Sequence, residues 1–253
     1  MKKHQGKFFD IKKEASPKGA TEIVKELAEL RDKELIHRVN LQGVDFSNID
    51  LSYRNLSEFD FSGSNLSRAR FTGSKLIRTR WVGANLSQAD FRNSSGYTMF
   101  FENANLKFAR LRKARFDGAY FRGSDLSNAD ASYTSFERCT FNGANLSYTN
   151  FSYGSLCSKS RIEKAKSLAG ADINGVWRGR RGTGVTISLP TNTFGDQTTY
   201  CMLNNFVIVA DKDGHWSGSW EDFLEKNSSD ENQKEVIGLL KKARRNLNSD
   251  RRC

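Results

Sequence analysis

The stretch AYFRGSDLSNAD, residues 119–130, places Phe121 and Leu126 five residues apart, each with a small residue two positions before it. We call the large apolar residue of each five-residue unit its centre. The same register runs unbroken over positions 41–156, which gives 24 centres. These are Leu or Phe, and the exceptions are Trp81, Gly96 and Ala131. The spacing of five therefore governs nearly half of the chain, and the fold has to account for it.

A period of five fits neither regular element. On an α-helix, five residues turn about 140° beyond one full turn, so the centres would scatter around the axis. On a straight strand, an odd spacing sends successive side chains to opposite faces. The conflict disappears if the chain bends once per unit, because short extended pieces joined by corners point every centre toward one axis. Gly and Asn, which recur near the fifth position, suit such corners.

The units include ANLSQ (84–88), ADFRN (89–93), ANLKF (104–108), SDLSN (124–128) and ANLSY (144–148). They resemble the pentapeptide repeat family, and the resemblance covers residues 39–158. It implies a mainly β fold, a right-handed quadrilateral β-helix with four units per coil. The segment would make about six coils and, at about 4.8 Å per coil, a solenoid roughly 29 Å long.

A coil of four units predicts that residues 20 positions apart stack on one another. The sequence supports this with three columns. The first is aromatic and comprises Phe61, Trp81, Phe101, Phe121 and Phe141; the second is all leucine and comprises Leu66, Leu86, Leu106, Leu126 and Leu146. The third comprises Asn65, Asn85, Asn105, Asp125 and Asn145, which predicts an amide ladder along the axis. A further column alternates in charge through Asp50, Arg70, Asp90, Arg110 and Asp130.

The ends divide the chain into four predicted parts. Residues 1–38 form an N-terminal segment with a capping helix over 20–39, started by Thr21. Residues 39–158 form the solenoid, and 159–175 form a short helix ending at Gly170 plus a last repeat-like unit, ADING. Residues 176–253 form a small α+β region with strands at 184–189 and within 204–218, and helices at 219–227 and 230–247. This region is either a C-terminal cap or a separate binding module.

Composition excludes several classes. The net charge of +11 is spread along the chain, so it favours acidic partners without identifying nucleic acid. The four cysteines show no metal or disulfide spacing, which favours a reducing compartment and a cytoplasmic protein. The N-terminus has no signal-peptide pattern and no stretch is apolar enough to span a membrane, so we expect no membrane partner.

No motif carries an enzymatic site. The histidines (His4, His37 and His215) lie near no triad or metal pattern. Asp211 and Asp213 begin a loop that lacks the distal Glu of a calcium site. The stretch WRGRRGTG (177–184) places three arginines among glycines and could cradle a phosphate, but it lacks the P-loop pattern and is better explained as a solvated turn. We therefore expect no catalytic residues, no metal and no cofactor.

Two outward surfaces are candidate partner sites. A basic surface gathers cationic residues on two adjacent faces, and the residues are Arg70, Arg92, Arg110, Arg112, Lys113 and Arg115. An apolar patch surrounds the irregular unit SGYTMFFEN (95–103), and its residues are Ile77, Val82, Tyr97, Phe100 and Tyr120. An apolar cluster on a polar solenoid indicates an interface, although shielding by another segment explains it equally well. A solvated face is the competing explanation for the basic surface.

The function that fits best is a non-catalytic scaffold for protein–protein interaction, with an unidentified protein partner; a nucleic-acid backbone is a less favoured partner. A first alternative comes from the resemblance, because some family members protect DNA gyrase by imitating the shape and charge of DNA. Such imitation needs an acidic surface, and this one is basic. A second alternative is a secreted effector with its activity in residues 176–253. The sequence does not define the oligomeric state.

Overall fold

The computed structural model of the chain describes residues 8–10, 17–33, 35–36, 38–155, 162, 165–168, 171–172, 184–190, 197–203, 206–210, 215–227, 237 and 241. The helices whose bounds are described are α1 (Pro17–Asp32) and α2 (Trp220–Asn227), and Ile237 and Lys241 are also helical. Its strands are β1 (Phe8–Asp10), β2 (Arg38–Asn40), β3 (Phe59–Asp60), β4 (Ser95–Tyr97), β5 (Arg115–Asp117), β6 (Gly184–Pro190), β7 (Gln197–Leu203), β8 (Phe206–Ala210) and β9 (His215–Ser219).

The repeat segment is a parallel β-helix whose rungs are 20 residues apart. Asn65 pairs in parallel with Asn85, and Asn85 pairs with Asn105. The amide of Leu66 donates to the carbonyl of Asn85 at 2.7 Å, and the same offset repeats from Asp45 to Ser155. A 20-residue repeat made of five-residue units has four sides per coil. The prediction of a mainly β, four-sided solenoid is confirmed.

Each unit ends in a corner with the backbone in the left-handed region. Sixteen non-glycine residues and seven glycines have positive φ, and they occupy every fifth position from 43 to 153. At Gly63 (φ 67°), for example, the amide of Ser64 closes the turn by donating to the carbonyl of Phe61 at 3.1 Å. A positive φ at the third turn residue favours Gly and Asn. This conformation explains why these two residues recur there.

The predicted columns fill the solenoid interior. The aromatic side chains stack along the axis: Phe101 and Phe121 lie 4.9 Å apart with planes 2° from parallel, and Phe121 and Phe141 lie 5.1 Å apart at 6°. The centres of the leucine column are fully buried. Trp81 stacks on Phe61 at 4.7 Å, and its indole Nε1 is buried with no hydrogen-bond partner among the described residues.

Where the small residue two positions before a centre is Ser or Thr, it contributes a hydrogen bond as well as a small volume. The hydroxyl of buried Ser64 donates to the carbonyl of Leu41 at 2.7 Å, and that of Ser74 donates to Leu51 at 2.7 Å. Both acceptors lie 23 residues earlier, in the preceding coil. The hydroxyls of Ser64 and Ser74 therefore tie neighbouring coils together inside the wall, whereas those of Ser94 and Ser124 bond within their own turn. The sequence analysis did not foresee either interaction.

The amide ladder is confirmed. Asn65 donates from Nδ2 to the carboxylate of Asp45 at 3.0 Å, and Asn85 donates to Asn65 at 3.1 Å. Asn105 continues the series by donating to Asn85 at 3.2 Å. Each side-chain oxygen also accepts a local backbone amide, such as that of Ser67 on Asn65. The ladder thus holds both the corner and the stacking of coils.

In the irregular unit (95–103), a neighbouring side chain fills the space of the missing centre. Gly96 stands where a large residue belongs, and the buried side chain of Met99 fills the space. A Cβ added to Gly96 would lie 2.7 Å from the Met99 sulfur and 2.8 Å from the carbonyl oxygen of Leu76. The core is therefore continuous through this coil, although the repeat pattern is interrupted.

The N-terminal helix differs from its prediction. The helix is present, but it begins at Pro17 and ends at Asp32, so the predicted bounds 20–39 and the cap at Thr21 are wrong. Proline suits the first turn of a helix. The chain leaves the helix early because Val39 must pair in parallel with Phe59 in the first coil.

Both N-terminal elements contact this end of the solenoid. Strand β1 pairs in parallel with β2, so that Phe9 faces Val39 along the rung. On α1, the buried side chains of Val24, Leu27 and Ala28 join the solenoid core. Arg31 donates to the carbonyls of Ser57 at 3.2 Å and Ile36 at 3.1 Å.

Beyond the last regular rung, the described residues correct one prediction. A helix over 160–170 is wrong for residues 165–168, because Ser167 pairs in parallel with Asn145 as a further rung. Asp172 pairs with Asn150 in the same way, which agrees with the repeat-like reading of residues 171–175. These pairs are 22 residues apart, so the chain carries two extra residues before this rung. Gly170 lies outside the described residues.

The C-terminal region contains a four-stranded antiparallel sheet in the order β6-β7-β8-β9. The predicted strands at 184–189 and within 204–218 are present, and so is the predicted helix, as α2. Strand β7 was not predicted. Residues 211–214, most of the stretch 177–184 and most of the predicted helix 230–247 lie outside the described residues.

Candidate interaction surfaces of the solenoid

Because buried side chains fill the solenoid interior, the groups that could contact a partner lie on its outer surface. Centres and the small residues before them are buried, and the residues just before and after each centre point outward. The solenoid has four faces, and each is identified by one of the centres that it contains. The first face contains Phe101, the second Leu106, the third Leu111 and the fourth Phe116. A partner has to meet these faces, the corners between them or the ends.

The apolar patch straddles the corner between the fourth and first faces. Phe100 and Tyr120 stack with centroids 5.4 Å apart and planes 8° from parallel. The guanidinium of Arg80 lies 5.0 Å above the other face of Phe100. Tyr97 is 47% exposed and Tyr120 is 40% exposed. The structure therefore brings Phe100 and Tyr120 into contact and leaves aromatic surface open to solvent.

The other two patch residues flank this pair. Ile77 and Val82 are half-buried, and Ile77 lies one coil from Tyr97 on the fourth face. The amide of Arg78 donates to the carbonyl of Tyr97 at 3.0 Å, which fixes the two coils in register.

A cleft of about 440 Å³ adjoins the patch and was missed by sequence reasoning. It is lined by charged and polar side chains and by one ring of the patch, and the residues are Arg38, Val39, Asn40, Gln42, Glu58, Asp60, Arg78, Arg80 and Phe100. The signal that would have pointed to it is the charged column at positions 38, 58 and 78, spaced by one coil.

Half of the basic surface, namely Arg70, Arg92 and Arg110, is paired with acids of the chain itself. Arg70 lies 3.3 Å from Asp50, and Arg92 lies 2.6 Å from Asp90. Arg110 also faces Asp90, at 4.0 Å. Burial acts against ionisation of Asp90, but hydrogen bonds from Arg92 and the charges of both arginines outweigh it and hold the pKa of this carboxyl below its ordinary value. The alternating charge column is thus an internal network.

The remaining cations of this surface lie around one corner. The guanidinium of Arg112 stacks over Tyr133 at 5.2 Å, and Tyr133 stacks on Tyr153 at 5.1 Å. Lys113 and Arg115 form no salt bridge within the part of the chain that the structure describes. The cations of the six-residue set that form no salt bridge therefore lie at the corner between the third and fourth faces, and one of them, Arg115, interacts electrostatically with Asp117.

Several exposed aromatic residues occupy corner positions with positive φ, and sequence reasoning did not single them out. They are Tyr53, Phe108, Tyr133, Tyr148 and Tyr153. Bulky residues are strained in this conformation. Part of the compensation is packing along the column, because Tyr53 lies against the next coil at Gly73.

On the fourth face, Asp117 carries an unfavourable charge. Burial raises the pKa of this carboxyl, and the like charge of Glu137, one coil away, raises it further. One of its oxygens is buried without a hydrogen-bond partner among the described residues. The ionised form is therefore disfavoured in the folded state.

Replacing Asp117 by Asn should raise stability at pH 7. Folding raises the pKa of Asp117, so the protonated carboxyl contributes stability that is fully present below the pKa of the unfolded state. That contribution is lost as pH rises through the pKa of the folded state. The gain in free energy of unfolding of the Asn variant over wild type should therefore vanish at pH 3.5. Urea denaturation at both pH values measures it. Asp90→Asn is the matched control and should destabilise at pH 7, because it removes the pair with Arg92. An Asp117→Asn variant less stable than wild type at pH 7 would contradict the assignment.

The described residues contain no cluster of three or more metal-ligating side chains and no helix that could cross a membrane. His215 lies in β9, whose side chains are not described; His4, His37, Asp211 and Asp213 lie outside the described residues, as do residues 177–183.

Comparison with known proteins identifies the repeat. The family model of pentapeptide repeats matches eight copies, over residues 45–80, 69–95, 101–132 and 119–156. No curated protein matches the chain significantly.

Solved structures similar to the chain include three repeat proteins. A trypsin-treated form of QnrB1, a plasmid-mediated fluoroquinolone resistance protein, is 23% identical, with 57% of this chain and 82% of that chain covered and a TM-score of 0.38. A pentapeptide repeat protein of the Arabidopsis thaliana thylakoid lumen is 29% identical, covering 43% and 65%, with a TM-score of 0.25. HetL from the cyanobacterium Nostoc, involved in heterocyst differentiation regulation, is 24% identical, covering 58% and 90%, with a TM-score of 0.15. At these scores the alignments carry no argument about function.

Proposed function

Because residues 45–156 belong to the pentapeptide repeat family, we propose that the chain is a non-catalytic scaffold that binds a protein partner through its solenoid. The observation that carries the proposal is the stacked pair Phe100 and Tyr120, which lies with Tyr97, Ile77 and Val82 in one outward apolar patch. Apolar surface of this kind is stabilised when a partner covers it.

The filled interior supports a binding role over a pocket chemistry. Aromatic and leucine centres occupy the axis, so a substrate has no room inside the coils. The hydrogen-bonded ladder and the stacked rings hold every coil in one register. The faces are therefore rigid, and rigid surfaces bind with little loss of conformational entropy.

We extend the proposal to the domain organisation. The solenoid has about six coils over residues 39–158, and β1 with α1 forms its N-terminal cap. The contacts of Arg31 with Ser57 and Ile36 support this, because they satisfy carbonyls at the exposed end of the first coil. Residues 176–253 form a separate α+β region.

The charge of the faces argues against the gyrase-protecting alternative. Imitation of DNA needs an acidic surface, whereas the third face carries an internally paired network and the adjoining corner carries Arg112 and Lys113, which form no salt bridge with a described residue. The secreted-effector alternative places the function in residues 176–253, and a deletion of that region tests it.

Affinity capture from the native cell lysate tests the proposal. The full chain is compared with the double variant Phe100→Asp/Tyr97→Ala, and captured proteins are quantified by mass spectrometry. We expect the patch variant to lose most of a specific partner. Phe108→Asp is the matched control, because Phe108 is an exposed aromatic residue on a different corner, and it should retain that partner.

Two further variants separate the alternatives. Loss of the partner with Arg110→Glu/Arg112→Glu, together with strong salt dependence, would move the interface to the basic surface. Loss only on deletion of 176–253 would make the solenoid a spacer. If no protein is captured specifically, the scaffold proposal is wrong.

A further inference from the structure

The cleft beside the apolar patch has a composition suited to an anion. Its lining contains three arginines, Arg38, Arg78 and Arg80, against two acids, Glu58 and Asp60. Its volume of about 440 Å³ lies in the range of binding pockets. What it can bind depends on which of these charges are already neutralised within the protein.

Both acids are occupied by the protein itself. Asp60 accepts from Gln42 Nε2 at 2.7 Å and from the Ser62 amide at 3.0 Å, and it lies 3.5 Å from Arg80. Glu58 faces Arg38 at 3.8 Å and Arg31 at 4.0 Å. Neither carboxylate is thus left to attract a cationic ligand.

The cations are less fully occupied. Within the described part of the chain Arg78 forms no salt bridge, and the Arg38 side chain is 79% exposed beside Glu58. Guanidinium groups offer several N–H donors in a planar arrangement that matches a carboxylate. An anion entering the cleft would therefore find donors without displacing an acid from its protein partner.

The aromatic end of the cleft adds to this preference. Both faces of the Phe100 ring are covered, one by Arg80 at 5.0 Å and the other by Tyr120 at 5.4 Å. Only its edge is free to meet a ligand, and the edge of an aromatic ring carries partial positive charge. Phe100 belongs to both the cleft and the apolar patch, so the two surfaces are continuous.

The length of the cleft indicates an extended segment. Asn40, Asp60, Arg80 and Phe100 lie on successive rungs, so the lining spans about 14 Å at about 4.8 Å per rung. A strand of about four residues covers that distance. The chain's own N-terminus, MKKHQGK (1–7), carries three lysines and no acid, so its charge does not complement the arginines.

We propose that the cleft anchors an Asp or Glu side chain of an extended segment in a protein partner, whose neighbouring apolar residues lie on the apolar patch. This inference rests on the proposed function and names the chemistry of the partner at that site. The acid pairs with Arg78 and Arg38, and the apolar residues follow within about four positions on the Phe100 and Tyr120 side.

Peptide selection tests this without knowledge of the partner. A random peptide library displayed on phage is selected on the immobilised full chain, and the enriched peptides are synthesised. We expect acidic residues within about four positions of Phe, Leu or Ile. Binding measured by fluorescence anisotropy should weaken by about tenfold or more in Arg38→Gln/Arg78→Gln and at higher salt.

The matched control is Arg68→Gln. Arg68 occupies the same corner position on the second face, with φ 58° against 55° for Arg78, and it contacts Gln88 at 3.3 Å. Its replacement should change peptide affinity by less than about twofold. Equal melting temperatures of the variants exclude misfolding as the cause of a lost signal.

Three results would overturn the inference. Peptides that lack acids, or that tolerate the double arginine change and fail only with Phe100→Asp, would leave the scaffold proposal intact and remove the anion anchor. Binding of a mixed-sequence 20-nucleotide single-stranded DNA, lost with the same arginines while no peptide binds, would assign the cleft to a phosphate backbone. No enrichment and no DNA binding would show that the cleft holds neither, whatever the lysate capture finds.

Discussion

Phe121→Ala should destabilise the solenoid by about 3–5 kcal/mol. Phe121 is fully buried and stacks between Phe101 at 4.9 Å and Phe141 at 5.1 Å, and it also meets Phe136 edge to face. Truncation removes the ring from the middle of the column. The rungs above and below are held by parallel backbone pairing, so the wall has little freedom to collapse into the cavity. Urea denaturation followed by far-ultraviolet circular dichroism measures the loss.

The matched control for this prediction is Phe108→Ala. Phe108 lies at the corner between the second and third faces and is 56% exposed. Its truncation removes little buried area, so the free energy of unfolding should change by about 0.5 kcal/mol or less. Similar losses in the two variants would mean that the aromatic column does not dominate the stability of the solenoid.

Much of the fold was predictable because the repeat imposes two separate spacings on the chain. A centre every five residues requires a bend per unit, and a column every twenty residues requires four units per coil. The aromatic, leucine and asparagine columns could thus be read before any coordinates, and all three are present. Positions 39 and 59 also obey the register, which is why the first coil begins where it was expected.

The errors occur where the repeat gives no information. The end of α1 depends on competition between helix propensity and pairing of β2 with β3, and local pattern favoured the longer helix. Residues 165–168 have a helix-like composition, yet the edge of the preceding coil recruits Ser167 as another rung. Strand β7 has no clear alternation, and its pairing with two neighbours in an antiparallel sheet is a tertiary property.

The candidate surfaces were predicted less completely, because charge and exposure depend on distances between coils. Arg70 and Arg92 were assigned to a partner, but they contact Asp50 and Asp90. The cleft combines residues from four rungs. Its charged column could be counted from the sequence, while its depth and the salt bridge that engages Glu58 could not.

Met99→Ala should cost about 2–5 kcal/mol, although a small residue is the rule at its position in the repeat. Met99 is fully buried and fills the space that the missing centre at Gly96 leaves. Alanine would restore the local pattern and open a cavity in the space that the Met99 side chain fills. If stability followed the repeat pattern alone, Met99→Ala would stabilise the protein. Urea denaturation of this single variant therefore distinguishes the repeat pattern from the role of Met99 as a replacement for the missing centre.

Gly96→Ala completes a double-mutant cycle on the same unit. A Cβ there would meet both the Met99 sulfur at 2.7 Å and the Leu76 carbonyl at 2.8 Å, so the single change should cost about 1–3 kcal/mol. In the double variant the clash with sulfur is gone and the new methyl fills part of the cavity, whereas the clash with the carbonyl persists. The two losses should therefore be less than additive without full recovery. Strict additivity would show that the two side chains do not share one space, and the account of how this coil replaces its centre would be wrong.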